Sequence, residues 1–230
     1  MQEAPVGILM LDTAFERLKG DAGNAATWPF PVVIRKVKGA SVSAVVDKGA
    51  AGLADLFIEA GRALVREEGV CAITTTCGFL VVHQRALSEA LPVPVATSSL
   101  LQIPIVDRML PQGKRAGVLT FDRDGLKPEL LAAAGARPDT PIAGLPPQGL
   151  FHRRVRDNAA ADVPALGAEV EAVTEAFLKA HPEVGALVVE CANLPTFSAD
   201  LSERFHVPVY DLVTMVRWVR AAVTPPRYAA

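Results

Sequence analysis

The chain has no apolar run near the roughly 18 residues that a membrane-spanning helix needs. Its start, MQEAPVGILMLD, pairs an acidic residue with only a short apolar stretch. A secretory leader reads differently, so the expectation is a cytoplasmic protein with no membrane partner. An excess of charge is missing as well: 23 basic against 25 acidic residues leave a net charge of -2, which offers no footprint for nucleic acid. Cysteines are scarce. Cys71, Cys77 and Cys191 are the whole set, odd in number and too sparse for a disulfide framework. No C-x-x-C pair occurs and the four histidines, His83, His152, His181 and His206, are scattered, so no metal site is expected. The Walker, Rossmann, nucleophile-elbow and HExxH patterns are all absent, which removes the commonest nucleotide, hydrolase and zinc-protease readings.

What remains is a chain of 230 residues, half of them apolar, enough for one large domain or two small ones with cores of their own. Short apolar runs alternate with longer amphipathic segments. Strands are expected at Val6–Leu11, Val32–Val37, Val70–Thr74, Val93–Thr97, Ala116–Thr120, Ala186–Val189 and Val207–Tyr210. Helices are expected near Lys48–Glu67, Ser99–Leu110, Gly125–Ala134, Glu169–Ala180 and Asp211–Val223. The alternation predicts an α/β fold with parallel sheets, which bind ligands off the carboxyl ends of their strands. The tail, TPPRYAA, is interrupted by proline and is expected to fray.

The chain also matches itself. At an offset of 114 residues, Ala72 falls on Ala186, Cys77 on Cys191 and Leu80 on Leu194, while Leu87-Ser88-Glu89 falls on Leu201-Ser202-Glu203 and Val93-Pro94-Val95 on Val207-Pro208-Val209. That makes nine identities over the 24 positions from 72 to 95, without a gap. Nearer the start the offset is 110, where Val6-Gly7-Ile8-Leu9 meets Ala116-Gly117-Val118-Leu119. Composition shared by chance explains Val-Pro-Val; it explains a cysteine at the same strand end much less well. The repeat predicts two pseudo-symmetric α/β halves with the active site in the crevice between them. The expected boundaries are 1–97 plus 211–230 for the first half and 98–210 for the second.

Both matched cysteines follow a strand-like run and precede a helix-like one. That environment offers free N–H groups, which hold carboxylates and can lower a thiol pKa. Gly78 lets a ligand approach the backbone closely, Thr76 supplies a hydroxyl, and Asn193 is the second half's side-chain donor. Two thiols on opposite sides of one carbon suit general acid–base catalysis: one removes a proton next to a carboxylate and the other delivers one to the opposite face. N–H and hydroxyl donors must then stabilise the carbanion. Glu190 replaces Thr76 in the repeat. As a neighbour it would keep Cys191 protonated and leave Cys77 as the first base. For Cys71, which has no matched partner, packing as a small hydrophobe is the better reading.

The two-half layout, with TTCGF and ECANLP at matching strand ends, resembles the aspartate/glutamate/hydantoin racemase superfamily over residues 5–223. The resemblance implies a cofactor-independent enzyme of two α/β halves, a homodimer, with Cys77 and Cys191 as the acid–base pair and a small carboxylate-type substrate. It also implies that the loop carrying Asp12 and Thr13 lines the site, as would Thr120. Substrate contacts are further expected from Asn24, Thr76, Gly78, Phe79, Glu190, Ala192 and Asn193, with backbone N–H groups near Gly78 and Ala192 holding the carboxylate. The leading expectation is a racemase acting alpha to a carbonyl, on an amino acid or a hydantoin. Here Gly78-Phe79 and Ala192-Asn193 follow the cysteines, where amino-acid racemases typically carry Asn-Thr and Thr. CGF, and GD ahead of a small-residue loop and an aromatic, are similar to algal dimethylsulfoniopropionate lyases. A lyase or decarboxylase using the same pair is therefore the alternative, and a non-catalytic small-acid binder a third. The Asp21–Asn24 loop reads equally as a crevice cover or a surface turn, and Trp28 and Phe30 as a crevice wall or a core seal. His83 reads as a solvated or packing residue, and the basic run from His152 to Arg156 as a solvated loop in preference to a contact for an anionic substrate.

Overall fold

The computed structural model describes residues 3–160 and 162–226; the last four residues of the tail lie outside them. In chain order the elements are β1 (Val6–Leu11), β2 (Val32–Val37), α1 (Ala54–Glu68), β3 (Ala72–Thr75), α2 (Gln84–Ala90), β4 (Val95–Ala96), α3 (Ile103–Met109) and β5 (Arg115–Thr120). There follow α4 (Pro128–Ala133), β6 (Ile142–Gly144), α5 (Leu150–Asp157), α6 (Val163–Ala180), β7 (Val184–Val189), α7 (Ser198–Phe205), β8 (Val209–Tyr210) and α8 (Leu212–Val223).

The strands form two four-stranded parallel sheets, ordered β2-β1-β3-β4 and β6-β5-β7-β8. The central strands β1 and β7 are nearly all apolar, VGILML and VGALVV, as strands covered on both faces must be. The two halves repeat each other down to register. Val6 pairs with Ala72 and Leu9 with Thr75 in the first sheet; Ala116 pairs with Ala186 and Leu119 with Val189 in the second. The two sequence offsets, 110 and 114, are therefore the two sides of one strand pair.

The halves are interlocked by their connecting helices. Ser99, in the short turn before α3, donates its hydroxyl to Val189 O at 2.6 Å, at the end of β7. α8 follows the second sheet yet packs Leu212, Met215 and Val216 against Val6, Ile8 and Ala96 of the first. Each such buried apolar side chain contributes about 1.5–3 kcal/mol. A capping box fixes its start: Asp211 accepts from Thr214 N at 2.7 Å and Thr214 Oγ1 accepts from Asp211 N at 2.9 Å.

Several local expectations change. β6, α2 and α7 go beyond the periodic pattern, because each is short and its apolar stripe is too brief to register. Residues 152–156 are not a solvated loop but part of α5. His152 and Arg154 are buried there, because one face of the helix packs on the second sheet: the His152 ring stacks on Phe121 at 4.0 Å and its Nε2 lies 2.7 Å from Phe121 O. Trp28 belongs to the core with α8, its indole N–H donating to Ala22 O at 3.1 Å. His83 contacts Ala50 O at 3.0 Å. No helix among the described residues is long and apolar enough to cross a membrane.

Candidate active site

Each matched cysteine sits two residues beyond the end of a central strand, Cys77 after β3 and Cys191 after β7, and each opens a short turn of 3-10 helix. Both are free thiols and both are buried. The N–H groups of Phe79 and Leu80 favour ionisation of the Cys77 thiol, and that of Asn193 favours ionisation of the Cys191 thiol. Those donors favour thiolates, but burial outweighs them and pushes both thiols well above the ordinary range. The charge of Glu190 adds to the rise at each. Ionising Cys77 also opposes ionising Cys191, so the two sulfurs share one electrostatic environment. Glu190 acts on both thiols and does not by itself single out Cys77 as the first base.

Glu190 is buried at the end of β7. Its Oε2 accepts from Thr120 Oγ1 at 2.7 Å, and the backbone N–H groups of Phe121 and Gly78 also favour its charged form. Burial still raises the carboxyl to about 7 against these three donors. The contact with Gly78 crosses from one half to the other and depends on glycine. A Cβ at position 78 would stand 2.4 Å from Glu190 Oε1 and 2.8 Å from its Cγ.

The loop after β1 supplies the remaining charge. Arg17 donates from Nη1 to Asp21 Oδ1 at 2.8 Å and to Asn193 Oδ1 at 3.3 Å, and from Nη2 to Thr13 Oγ1 at 2.8 Å. Its guanidinium lies 4.7 Å from the centre of the Phe15 ring. Three of its five N–H groups are thereby used. Asp21 is buried, and burial raises its carboxyl despite the pull of Arg17. The loop is pinned to the second half at Gly20, whose φ is +105° and where an added Cβ would stand 2.5 Å from Thr196 Cα, so no side chain fits. Beneath the loop lies a cavity of about 30 Å³ lined by Thr13, Phe15, Arg17, Thr76, Phe121, Cys191 and Asn193, among others. It shares Thr13, Val42 and Val155 with an outer cleft of about 340 Å³ that carries Asp12, Ser41, Ser43, Arg156 and Asn158.

The structure thus brings Thr13, Thr76, Cys191 and Asn193 to one cavity, with Cys77, Gly78, Thr120 and Glu190 beside it. Thr76 Oγ1 accepts from Leu11 N at 3.1 Å. Ala192 is buried at the same strand end, its carbonyl accepting from Ala22 N, and its own N–H has no partner among the described residues. The side chain of Phe79 packs into the core of the first half. Two expected contacts stand apart. Asp12 is exposed, accepting from Gly39 N at 3.2 Å and reaching only the outer cleft. Asn24 caps a short turn, its amide committed to Ala26 N and Arg17 O. Sequence reasoning passed over Arg17 altogether. It lies in a loop without periodicity, and its meeting with Asn193 spans 176 residues. Arg154 was also misjudged: it is buried, donates to Glu16 O, and leaves Nη1 without a partner among the described residues. No group of three or more potential metal ligands is present among the described residues.

Known structures share this architecture. A Gly74Cys mutant of arylmalonate decarboxylase aligns with a TM-score of 0.66 and 17% identity, covering 95% of this chain and 92% of that one. Allantoin racemase from Klebsiella pneumoniae aligns at 0.64 with 20% identity, covering 96% and 88%. A glutamate racemase from Bacillus anthracis aligns at 0.60 with 13% identity, covering 97% and 84%. The chain has the fold of these decarboxylase and racemase structures. Among curated proteins, this racemase-fold chain is 25% identical to a dimethylsulfoniopropionate lyase from Durusdinium sp. clade D over 99% of its own length and 78% of the relative's. It is 30% identical to dimethylsulfoniopropionate lyase 5 of Emiliania huxleyi over 71% of its length, but spans only 36% of that protein. It spans 61% of lyase 6 from the same organism, at 26% identity. No protein-family model matches the chain.

Proposed function

We propose that this protein is a lyase that eliminates a sulfonium group from a small carboxylate such as dimethylsulfoniopropionate, with Cys77 and Cys191 as its acid–base pair. The observation that carries this reading is the run of dimethylsulfoniopropionate lyases among its relatives, the first of them matched along nearly the whole chain. The site agrees with it chemically. Arg17 and the free N–H of Ala192 hold the substrate carboxylate. One cysteine takes the proton from the adjacent carbon, and the electrons of that C–H bond form the new double bond as the Cβ–S bond breaks. The sulfur leaves with its electron pair as a neutral sulfide, and the captured proton is returned to water. Burial makes both thiols reluctant to ionise. A positively charged sulfonium entering the same low-dielectric space favours the thiolate, so the substrate itself helps to activate its base.

A racemase built on the same pair is the second reading, supported by the two racemase structures that share the fold. The first chemical step is common to both, so products decide. The protein is incubated in D2O with sulfonium carboxylates, amino acids and hydantoins and followed by NMR. An alkene acid and a sulfide support the lyase. Deuterium exchange with inversion supports the racemase instead. Ligand binding without exchange or products overturns both in favour of a binding protein.

A further inference from the structure

The two halves are built to the same plan around the crevice, but only one of them is open to a substrate. In the first half, Leu11 N donates to the side chain of Thr76 at 3.1 Å. The offset of 110 sets Phe121 opposite Leu11, and the offset of 114 sets Glu190 opposite Thr76. The matching pair recurs there: the Phe121 N–H favours the charged Glu190 carboxylate. The glutamate lacks the hydroxyl, carries a carboxylate on its γ-carbon and does more. It gathers the Thr120 hydroxyl at 2.7 Å and crosses the crevice to lie against Gly78, where a Cβ would stand 2.4 Å from its Oε1. The hydroxyl at one end and the bare backbone of Gly78 at the other bound a small anion cradle. The protein's own carboxylate fills it, and Gly78 is bare of a side chain so that it can. On the other side, Thr76 is too short to reach across. There the cavity remains, with Arg17, Asn193, Thr13 and Cys191 around it.

We propose that Glu190 is a built-in stand-in for a substrate carboxylate, a positioning residue that closes the second of two pseudo-symmetric cradles. A substrate can then seat its carboxylate only on the Arg17 side. The occupancy rests on the position of Glu190 between Thr120 and Gly78. Its consequence rests on the acid–base reading above: the two thiols face a substrate held one way round, and their roles do not interchange. An enzyme that must accept both mirror-image substrates has no use for such a block, whereas an eliminating enzyme loses nothing by it.

The test needs no turnover, so it stands even if the elimination reading fails. Propionate, a carboxylate with no leaving group, is titrated into the wild type, Glu190→Gln and Glu190→Thr, and backbone amide shifts are followed by NMR. In the wild type and in Glu190→Gln, whose amide still fills the cradle, the amides of Thr13 and Asn193 should move, with one propionate bound per chain. In Glu190→Thr, which restores the first half's residue, the amide of Gly78 should move as well and a second propionate should bind. One propionate in Glu190→Thr, with Gly78 silent, overturns the proposal. So does a wild type in which propionate already moves Gly78, a result that does not depend on the variants folding.

Discussion

Gly78 and Glu190 come from opposite halves of the molecule, yet a methyl group on Gly78 would lie 2.4 Å from Glu190 Oε1 and 2.6 Å from its backbone oxygen. Neither contact can be tolerated, and the second involves main chain that cannot swing aside. Gly78→Ala is therefore expected to destabilise the protein by about 1–3 kcal/mol, as overpacking at a tight site does. Glu190→Ala in the same chain should restore only part of the loss, because the backbone oxygen remains. Urea unfolding of the wild type and the two variants checks this. Full recovery in the double variant would show that only the side chain matters.

The buried carboxyl of Glu190 makes stability depend on pH. Its pKa is raised from 4.5 in the open chain to about 7 in the fold, so the folded state binds the proton more tightly. The resulting stability is fully present below about pH 4.5 and is lost as pH rises through about 7. The shift corresponds to a loss on the order of 3 kcal/mol. Asp21, also raised by burial, adds a share of the same sign. Glu190→Gln should flatten most of the slope between about pH 4.5 and pH 8 and leave the part due to Asp21. Unfolding midpoints across that range decide it, and an unchanged slope in the variant would remove Glu190 from the account.

The thiols give an independent reading of the same environment. Burial and Glu190 together hold Cys77 and Cys191 in the thiol form, whereas Cys71 is only partly buried. Iodoacetamide at neutral pH should label Cys71 first. Glu190→Gln should speed labelling at both of the other two, since the charge it removes opposes both thiolates. Mass spectrometry of the alkylated peptides separates the sites. Cys77→Ser and Cys191→Ser should each lower turnover by about 100-fold or more, the usual loss when a general acid or base is removed. Full activity in either would end the two-thiol mechanism.

The fold was legible because its signals are local or repeated. Strands such as VGILML are buried on both faces and read as apolar runs, and the ungapped match of Cys77 to Cys191 reflects two sheets with one register. The site was legible only as far as the repeat extends. Thr76, Gly78, Thr120, Glu190 and Asn193 lie on repeated strand ends, and all fall at or beside the crevice. Arg17 and Asp21 lie in a loop where no period constrains the residues, and their meeting with Asn193 is decided by how the halves pack. The basic run at 152–156 misled for a related reason. Charge density suggests solvent, but the stacking of His152 on Phe121 and the contact of Arg154 with Glu16 O are tertiary and leave no trace in spacing.

Arg17 yields the prediction that bears most directly on substrate. It is the cation that faces the inner cavity, and it is held by Asp21, Asn193 and Thr13. Lysine keeps the charge but is a single point with no planar fork, and it cannot bridge those three partners and a substrate carboxylate at once. Arg17→Lys should therefore raise KM by about 10-fold or more, the equivalent of about 1.4 kcal/mol, with a smaller effect on kcat. Arg17→Met is expected to be worse in a different way, because it strands Asp21 in a buried site; breaking such a pair costs about 3–5 kcal/mol. Adding Asp21→Asn should recover stability without recovering KM. Steady-state kinetics and unfolding curves on the same set separate anchoring from folding. If the double variant regains the wild-type KM, Arg17 supports the loop and does not hold the substrate.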